Sequence, residues 1–331
     1  MPPAPAPRFD ILGIGNAIVD VLAPVDEQFI TRHDMRKGSM TLIDAARAEA
    51  IYAAMPPGQE TSGGCAANTC AAAAGLGARV AYLGRVADDQ LGAVFRHDIA
   101  AAGVHFPTAP LVGGAPTARC MILVTPDGQR TMNTYLGACV AFTVAQVDEV
   151  AVADSAVIYL EGYLYDDPAA QAAFRHAAAI AHRAGRKVSL TLSDSFCVDR
   201  HRHAFRDLVA NHVDILFANE AEICALYECN DLADAVARTR ADVALAAITR
   251  GADGSIVLRG EETVEITAAP TRVLDTTGAG DVYAAGFLAA LTAGRGLAAC
   301  GRLGSLAAAE IISHYGARLQ RDLRGELAGL G

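Results

Sequence analysis

Asp275-Thr276-Thr277-Gly278-Ala279-Gly280-Asp281 says most about this chain of 331 residues. It sets three small residues and a carboxylate where a turn runs into an apolar segment, expected to be helical over 282–293. Gly278 and Gly280 let the backbone turn tightly and come close to a ligand. The first N–H groups of such a helix lack intrahelical partners and carry the positive end of its dipole. That end suits an anion, most commonly phosphate. Asp281 would repel a phosphate that merely rested there. It is well placed to take a proton from a hydroxyl attacking that phosphate. The alternative is an ordinary glycine-rich turn, with Asp281 a first-turn helix residue.

Outward from this stretch, strand-like and helix-like segments alternate. Short apolar runs occupy 10–15, 79–84, 156–161, 187–192, 214–218 and 244–249, and alanine-rich helical patterns such as 169–184 lie between several of them. The alternation predicts an α/β fold: a Rossmann-like, doubly wound, mostly parallel sheet with helices on both faces. Two parts break the pattern. Residues 18–25 and 39–43 predict strands around a short helix. Residues 117–125 and 129–136 predict a hairpin closed by Pro126-Asp127-Gly128, a turn-forming triplet. A third hairpin, 254–258 with 263–267, precedes the opening stretch. With no internal repeat or linker, one domain is expected over 9–331, behind a proline-rich, disordered tail at 1–8.

A net charge of −10 and a pI near 5.3, with no Lys/Arg cluster, argue against a nucleic-acid surface. Hydrophobic content is 52%, much of it alanine. The apolar run over 65–83 is interrupted by Asn68, Gly75, Gly77 and Arg79, and the run over 282–291 is too short to cross a bilayer, so no membrane partner is expected. The N-terminus lacks the basic start and apolar stretch of a signal peptide. Eight cysteines show no CxxC pair and no zinc spacing, which predicts buried thiols in a reduced, cytoplasmic protein.

The opening stretch, continued by Ala284-Ala285-Gly286-Phe287, resembles the C-terminal signature of the ribokinase-like (PfkB) family of sugar and nucleoside kinases. The resemblance extends over about 9–316. It implies Asp281 as catalytic base and the amides of Gly278, Ala279 and Gly280 as an anion hole. It also implies ATP and Mg²⁺, and a small β-sheet lid from segments at about 17–45 and 108–138. Lids in this family are free or paired between subunits, so monomer and homodimer both stay open. No P-loop is present, so phosphate handling must come largely from the Gly-Ala-Gly-Asp loop.

Further motifs follow in the family's order. Gly63-Gly64-Cys65-Ala66-Ala67-Asn68 opens an alanine-rich helix, and the resemblance implies that Gly63, Gly64 and Asn68 hold substrate hydroxyls. Downstream, Ala87 stands where the family has glycine. Gly13-x-Gly15-x-x-Ile18 lacks the third glycine of a dinucleotide fingerprint, and Asp20 comes too early to be its ribose-binding acid. By resemblance, Asn16 and Asp20 instead contact the sugar; a carboxylate can accept from two vicinal hydroxyls. Asn219-Glu220-Ala221-Glu222 resembles the family's Asn-x-x-Glu element, with Glu222 and then Asn219 organising Mg²⁺ through water. Thr249-Arg250-Gly251 resembles the strand end that meets nucleotide phosphates. Arg130 is a candidate phosphate clamp brought in by the lid, or else a lone surface arginine. The resemblance allows a monovalent cation such as K⁺ near Asp275 and Thr277.

Within the family, the chain resembles the adenosine kinases. The marks are residues 10–16 leading to Asp20, 130–136, 192–196 and 214–220. By position, Phe196 is expected to pack on a purine, with Met132 and Thr134 lining its other side; stacking recognises a flat π surface. Asp194 and Thr191 depart from the pattern of those enzymes. The expected activity is ATP-dependent phosphorylation of the 5′-hydroxyl of adenosine or a related nucleoside. The alternatives are a sugar kinase acting on ribose, fructose or another ketose, and a non-catalytic nucleoside-binding regulator.

Overall fold

The computed structural model describes residues 6–329; the first five residues of the expected tail lie outside them. Strands follow in the order β1 (Phe9–Ile14), β2 (Ile18–Pro24), β3 (Met40–Leu42), β4 (Gln59–Gly63), β5 (Val80–Leu83), β6 (Val104–His105) and β7 (Ala118–Val124). Then come β8 (Arg130–Tyr135), β9 (Ser155–Glu161), β10 (Lys187–Thr191), β11 (Ile215–Asn219), β12 (Leu245–Thr249), β13 (Ser255–Arg259) and β14 (Glu262–Ile266).

Nine strands form one sheet in the order β14-β13-β12-β11-β10-β9-β1-β5-β6, parallel from β12 to β6 and closed by the antiparallel β13–β14 hairpin. Its central strands alternate between two hydrophobic cores. Ile11, Val157, Tyr159, Ile215 and Phe217 face one core; Leu12, Ile158, Leu160, Leu216 and Ala218 face the other. Helices cover both faces, as a parallel sheet requires, since side chains of successive strand residues point to opposite sides. The helix Pro168–Arg183 shows how the sequence encodes this. Asp167 caps its N-terminus, Pro168 occupies the first turn, and Ala170, Ala173, Phe174, Ala177 and Ala181 form its buried stripe. Full burial of Phe174 contributes roughly 1.5–3 kcal/mol.

The remaining five strands form a smaller mixed sheet in the order β3-β8-β7-β2-β4. The β7–β8 hairpin and the strands around the helix Glu27–Arg32 are those expected. Strand β4 was not anticipated. Its sequence, Gln-Glu-Thr-Ser-Gly, carries no apolar alternation, and pairing with β2 creates it. Ala87 needs no glycine-like conformation, because its φ is not positive. Its N–H donates to Thr117 Oγ1 at 2.9 Å.

The carboxyl ends of β1, β9, β11 and β12 open on one edge of the large sheet. Strand β1 lies between β5 and β9, where the order of winding reverses, and such a crevice is where open α/β sheets bind ligands. Among the described residues, no helix is long and apolar enough to cross a membrane.

Candidate active site

A cleft of about 880 Å³ lies at that edge. Asn16, Asp20, Gly64, Asn68, Met132, Thr134, Phe196, Asn219, Glu222, Thr249, Thr277, Gly278, Ala279, Gly280 and Asp281 line it. Of the residues expected from sequence, Gly63, Gly251, Arg130 and Asp275 do not.

The glycine loop feeds the helix Ala279–Thr292, which starts three residues earlier than expected, with Gly278 as its left-handed N-cap at φ 76°. Asp281 therefore stands inside the first turn. The Ala279 N–H donates to the Thr276 carbonyl at 3.2 Å and is not free to cradle an anion in this arrangement. The N–H groups of Gly278, Gly280 and Asp281 have no acceptor among the described residues. A Cβ placed on Gly280 would meet nothing within 4 Å, so the loop's face is open to a ligand.

Asp281 is half-buried: the cleft reaches one side of its carboxylate and protein surrounds the rest. Poor solvation raises its pKa to about 6, opposed by a hydrogen bond from Asn68, by the Cys65 thiol and by the Arg318 charge. Asn68 Nδ2 lies 3.2 Å from Asp281 Oδ2, and Thr69 Oγ1 donates to the Asp281 carbonyl at 3.1 Å. These contacts tie the helix Cys65–Gly75 to the helix carrying Asp281.

Asn16 and Asp20 line the same cleft. Asn16 Nδ2 donates to Glu161 Oε1 at 2.9 Å, while its Oδ1 is a buried acceptor with no partner among the described residues. Gly63 acts by its size: a Cβ there would fall 2.3 Å from Asp20 Oδ2. Gly64 has φ 95°, and a Cβ there would meet the Asn16 carbonyl oxygen at 2.1 Å. Burial pushes Asp20 up to about 7, with Arg318 pulling it down and Asp281 pushing it further up.

Asn219 and Glu222 form a reciprocal capping box on the helix Glu220–Tyr227. Glu222 Oε1 accepts from Asn219 Nδ2 at 2.6 Å and Oε2 from the Asn219 N–H at 3.0 Å. Its carboxyl is raised to about 7 by burial, despite the capping bond, with Asp194 and Asp281 adding to the rise. Among the described residues, no group of three or more His, Cys, Asp or Glu is arranged to hold a metal. One carboxylate at the cleft wall fits an ion that brings its own water and is held mainly by phosphates.

Arg130 departs from expectation. It makes a 2.5 Å ion pair with Asp275, with its guanidinium 5.3 Å from the Tyr315 ring centre, and does not enter the cleft. Its side chain is only 9% exposed, so it is not a lone surface arginine. The other Asp275 oxygen accepts from the Thr277 N–H at 3.1 Å. Asp275 Oδ2 meets Arg130 as an ion pair and has no hydrogen-bond partner among the described residues. Phe196 is at the cleft mouth but 72% exposed, with nothing yet packed on it.

Sequence reasoning missed two residues. Glu161 ends β9 and accepts from Asn16 and from the Ala66 N–H at 2.8 Å. Burial raises it to about 7, against those bonds. Its place at the carboxyl end of a parallel strand was the available signal. Arg318, in the segment after the helix Leu297–Ile311, donates to Asn68 Oδ1 at 2.8 Å. Nothing local in the sequence marks it.

The pfkB family carbohydrate kinase profile matches residues 38–322. The chain belongs to that family. The kinase is similar to the crystal structure of adenosine kinase from Sinorhizobium meliloti, at 51% identity over 98% of this chain and 100% of that one, with a TM-score of 0.90. It is equally similar to a probable sugar kinase from Rhizobium etli, at 49% identity over 98% and 100%, TM-score 0.90. Among curated relatives, an ATP-dependent ribose-1-phosphate kinase of Halopiger xanaduensis is 31% identical over 70% of this chain and 73% of its own. The protein is thus an ATP-dependent phosphotransferase acting on a small nucleoside or sugar.

Proposed function

We propose that this kinase phosphorylates the 5′-hydroxyl of adenosine or a closely related nucleoside. One observation carries the choice of a nucleoside over a bare sugar. Phe196, Leu42 and Met40 are 72%, 53% and 47% exposed, yet all three line the cleft, which Met132 and Leu136 also line. Large apolar side chains left open around a polar floor suit a flat heteroaromatic base above a sugar. The similarity to the Sinorhizobium enzyme supports the same reading.

In this reading Asp20, Asn16 and Asn68 hold the ribose hydroxyls, with Glu161 fixing Asn16. Asp281 accepts the proton of the attacking 5′-hydroxyl. The open amides of Gly278 and Gly280 face the phosphoryl group in transfer, where oriented donors contribute roughly 10²–10³ in rate each. Thr249 and Gly251 border the nucleotide. Mg²⁺ would be held through water by Glu222, with Asn219 fixing that carboxylate, and would neutralise charge on the phosphates. The small sheet, made of the 17–45 and 108–138 segments with β4, acts as a lid that brings Met40 and Leu42 onto the base and excludes water.

The test is a panel of nucleosides and sugars, each with Mg·ATP, read by ADP release. Adenosine should give the highest kcat/KM; a preference for ribose or a ketose over every nucleoside ends the proposal.

A further inference from the structure

The side-chain amide of Asn68 stands between opposite charges. Its Oδ1 accepts from Arg318 Nη1 at 2.8 Å, and its Nδ2 donates to Asp281 Oδ2 at 3.2 Å. A guanidinium can only donate and a carboxylate can only accept. Turning the amide over would set NH₂ against the guanidinium and oxygen against the carboxylate, two repulsive contacts in place of two bonds. Arg318 therefore dictates which end of Asn68 meets Asp281.

Arg318 is itself held. Its Nη2 donates to the Ser62 carbonyl and, at 2.6 Å, to Ser62 Oγ, and lies 3.6 Å from Asp98 Oδ2. Ser62 Oγ gives its own proton to Asp98 Oδ2 at 2.5 Å, leaving its lone pairs for the guanidinium. The row Asp98–Ser62–Arg318–Asn68–Asp281 thus runs from the helix Gln90–Ala101 through β4 to the helix that carries the carboxylate.

We propose that Arg318 is a positioning residue for phosphoryl transfer: by orienting Asn68 it keeps the Asp281 carboxylate ionised and turned to the cleft. This rests on Asp281 being the base. The groups facing Asp281 are Cys65 and Asn68 from the helix Cys65–Gly75, Asp20 from β2, Tyr159 and Glu161 from β9, Tyr163 from the turn after it, Glu222, and Arg318. Arg318 is the only cation among them. Its removal takes away that charge and frees the Asn68 amide to turn, leaving the Cys65 thiol as the fixed donor against burial, and both changes favour the protonated carboxyl.

The experiment compares Arg318→Met, Arg318→Lys, Asn68→Ala and the Asn68→Ala/Arg318→Met double variant by kcat/KM against pH, with thermal melts to confirm folding. Arg318→Met should lower kcat/KM about tenfold or more at neutral pH, the low end for losing a charged hydrogen bond. Its acid limb should move to higher pH, and Arg318→Lys should bring the limb back. In the Asn68→Ala background the Met substitution should do little more, because residues acting as a unit are not additive. An unmoved acid limb, or losses that multiply in the double variant, overturns the proposal. Should Arg318→Met fail to fold, Arg318→Lys alone decides: the fork is lost, so kcat/KM must fall while its acid limb stays, and wild-type kcat/KM refutes. Asp281→Asn, measured alongside, separates the premises: full turnover there removes the base itself, whereas lost turnover with an unmoved Arg318→Met limb sinks only the role of Arg318.

Discussion

Arg130 Nη2 lies 2.5 Å from Asp275 Oδ2, with the two side chains 9% and 5% exposed. Strand β8 of the small sheet is thereby fastened to the head of the glycine loop, and the arginine is kept out of the cleft. Taking one member away leaves the other charge buried and unpaired, at a cost of about 3–5 kcal/mol. Asp275→Asn is expected to lose stability in that range in urea unfolding, and the Asp275→Asn/Arg130→Met double variant should recover much of it. Equal losses in the single and double variants would mean the pair is not what holds the two elements together.

Asp281→Asn should reduce kcat by roughly 100-fold or more, the low end of a general-base contribution. The amide is nearly isosteric, so nucleoside binding should persist by calorimetry. Wild-type turnover in this variant would remove Asp281 from the chemistry.

Opposite pH trends are expected for stability and activity. Burial is the largest cause raising Asp20, Glu161 and Glu222 to about 7 and Asp281 to about 6. A carboxyl raised in the folded state binds its proton more tightly there than in the unfolded chain, so its contribution to stability is lost as pH climbs through the folded value. The melting temperature of the free enzyme should therefore rise as pH is lowered from about 8 to about 5, and Asp20→Asn should flatten that rise. Carboxyls held low, such as Asp127 by Lys37 and Asp322 by Arg324, lose their contribution only in stronger acid. Turnover should fall in the direction that stabilises, because the base must be ionised: kcat/KM drops below about pH 6. A melting temperature that falls steadily from pH 8 to 5 contradicts the first half.

Phe196→Ala should raise KM for adenosine about tenfold, since losing one base-stacking partner is worth roughly 1–3 kcal/mol. At 72% exposure the ring stabilises little, and the melting temperature should hardly move. An unchanged KM would place the base elsewhere in the cleft.

Much of the site was legible in the chain because its signals are local. Glycines at a turn, a carboxylate in the first helical turn and Asn219 three residues before Glu222 sit close together in sequence, so spacing alone announces them. The parallel sheet was legible for a similar reason: short apolar runs alternating with helical periodicity leave few packings. Strand β4 was not, because its residues have no pattern of their own and become a strand only through β2. The same limit hid Glu161 and Arg318. Glu161 meets Asn16 across 145 residues of chain and Arg318 meets Asn68 across 250. Arg130 was visible, yet its partner was not, since Asp275 lies 145 positions further along and meets it only where the small sheet packs on the loop. Sequence determined the fold, the phosphate loop and the candidate acid–base residue, each encoded within a few neighbouring positions. Tertiary structure decided which charges oppose one another in the cleft, because burial and long-range contact, absent from any local stretch, set their protonation and their orientation.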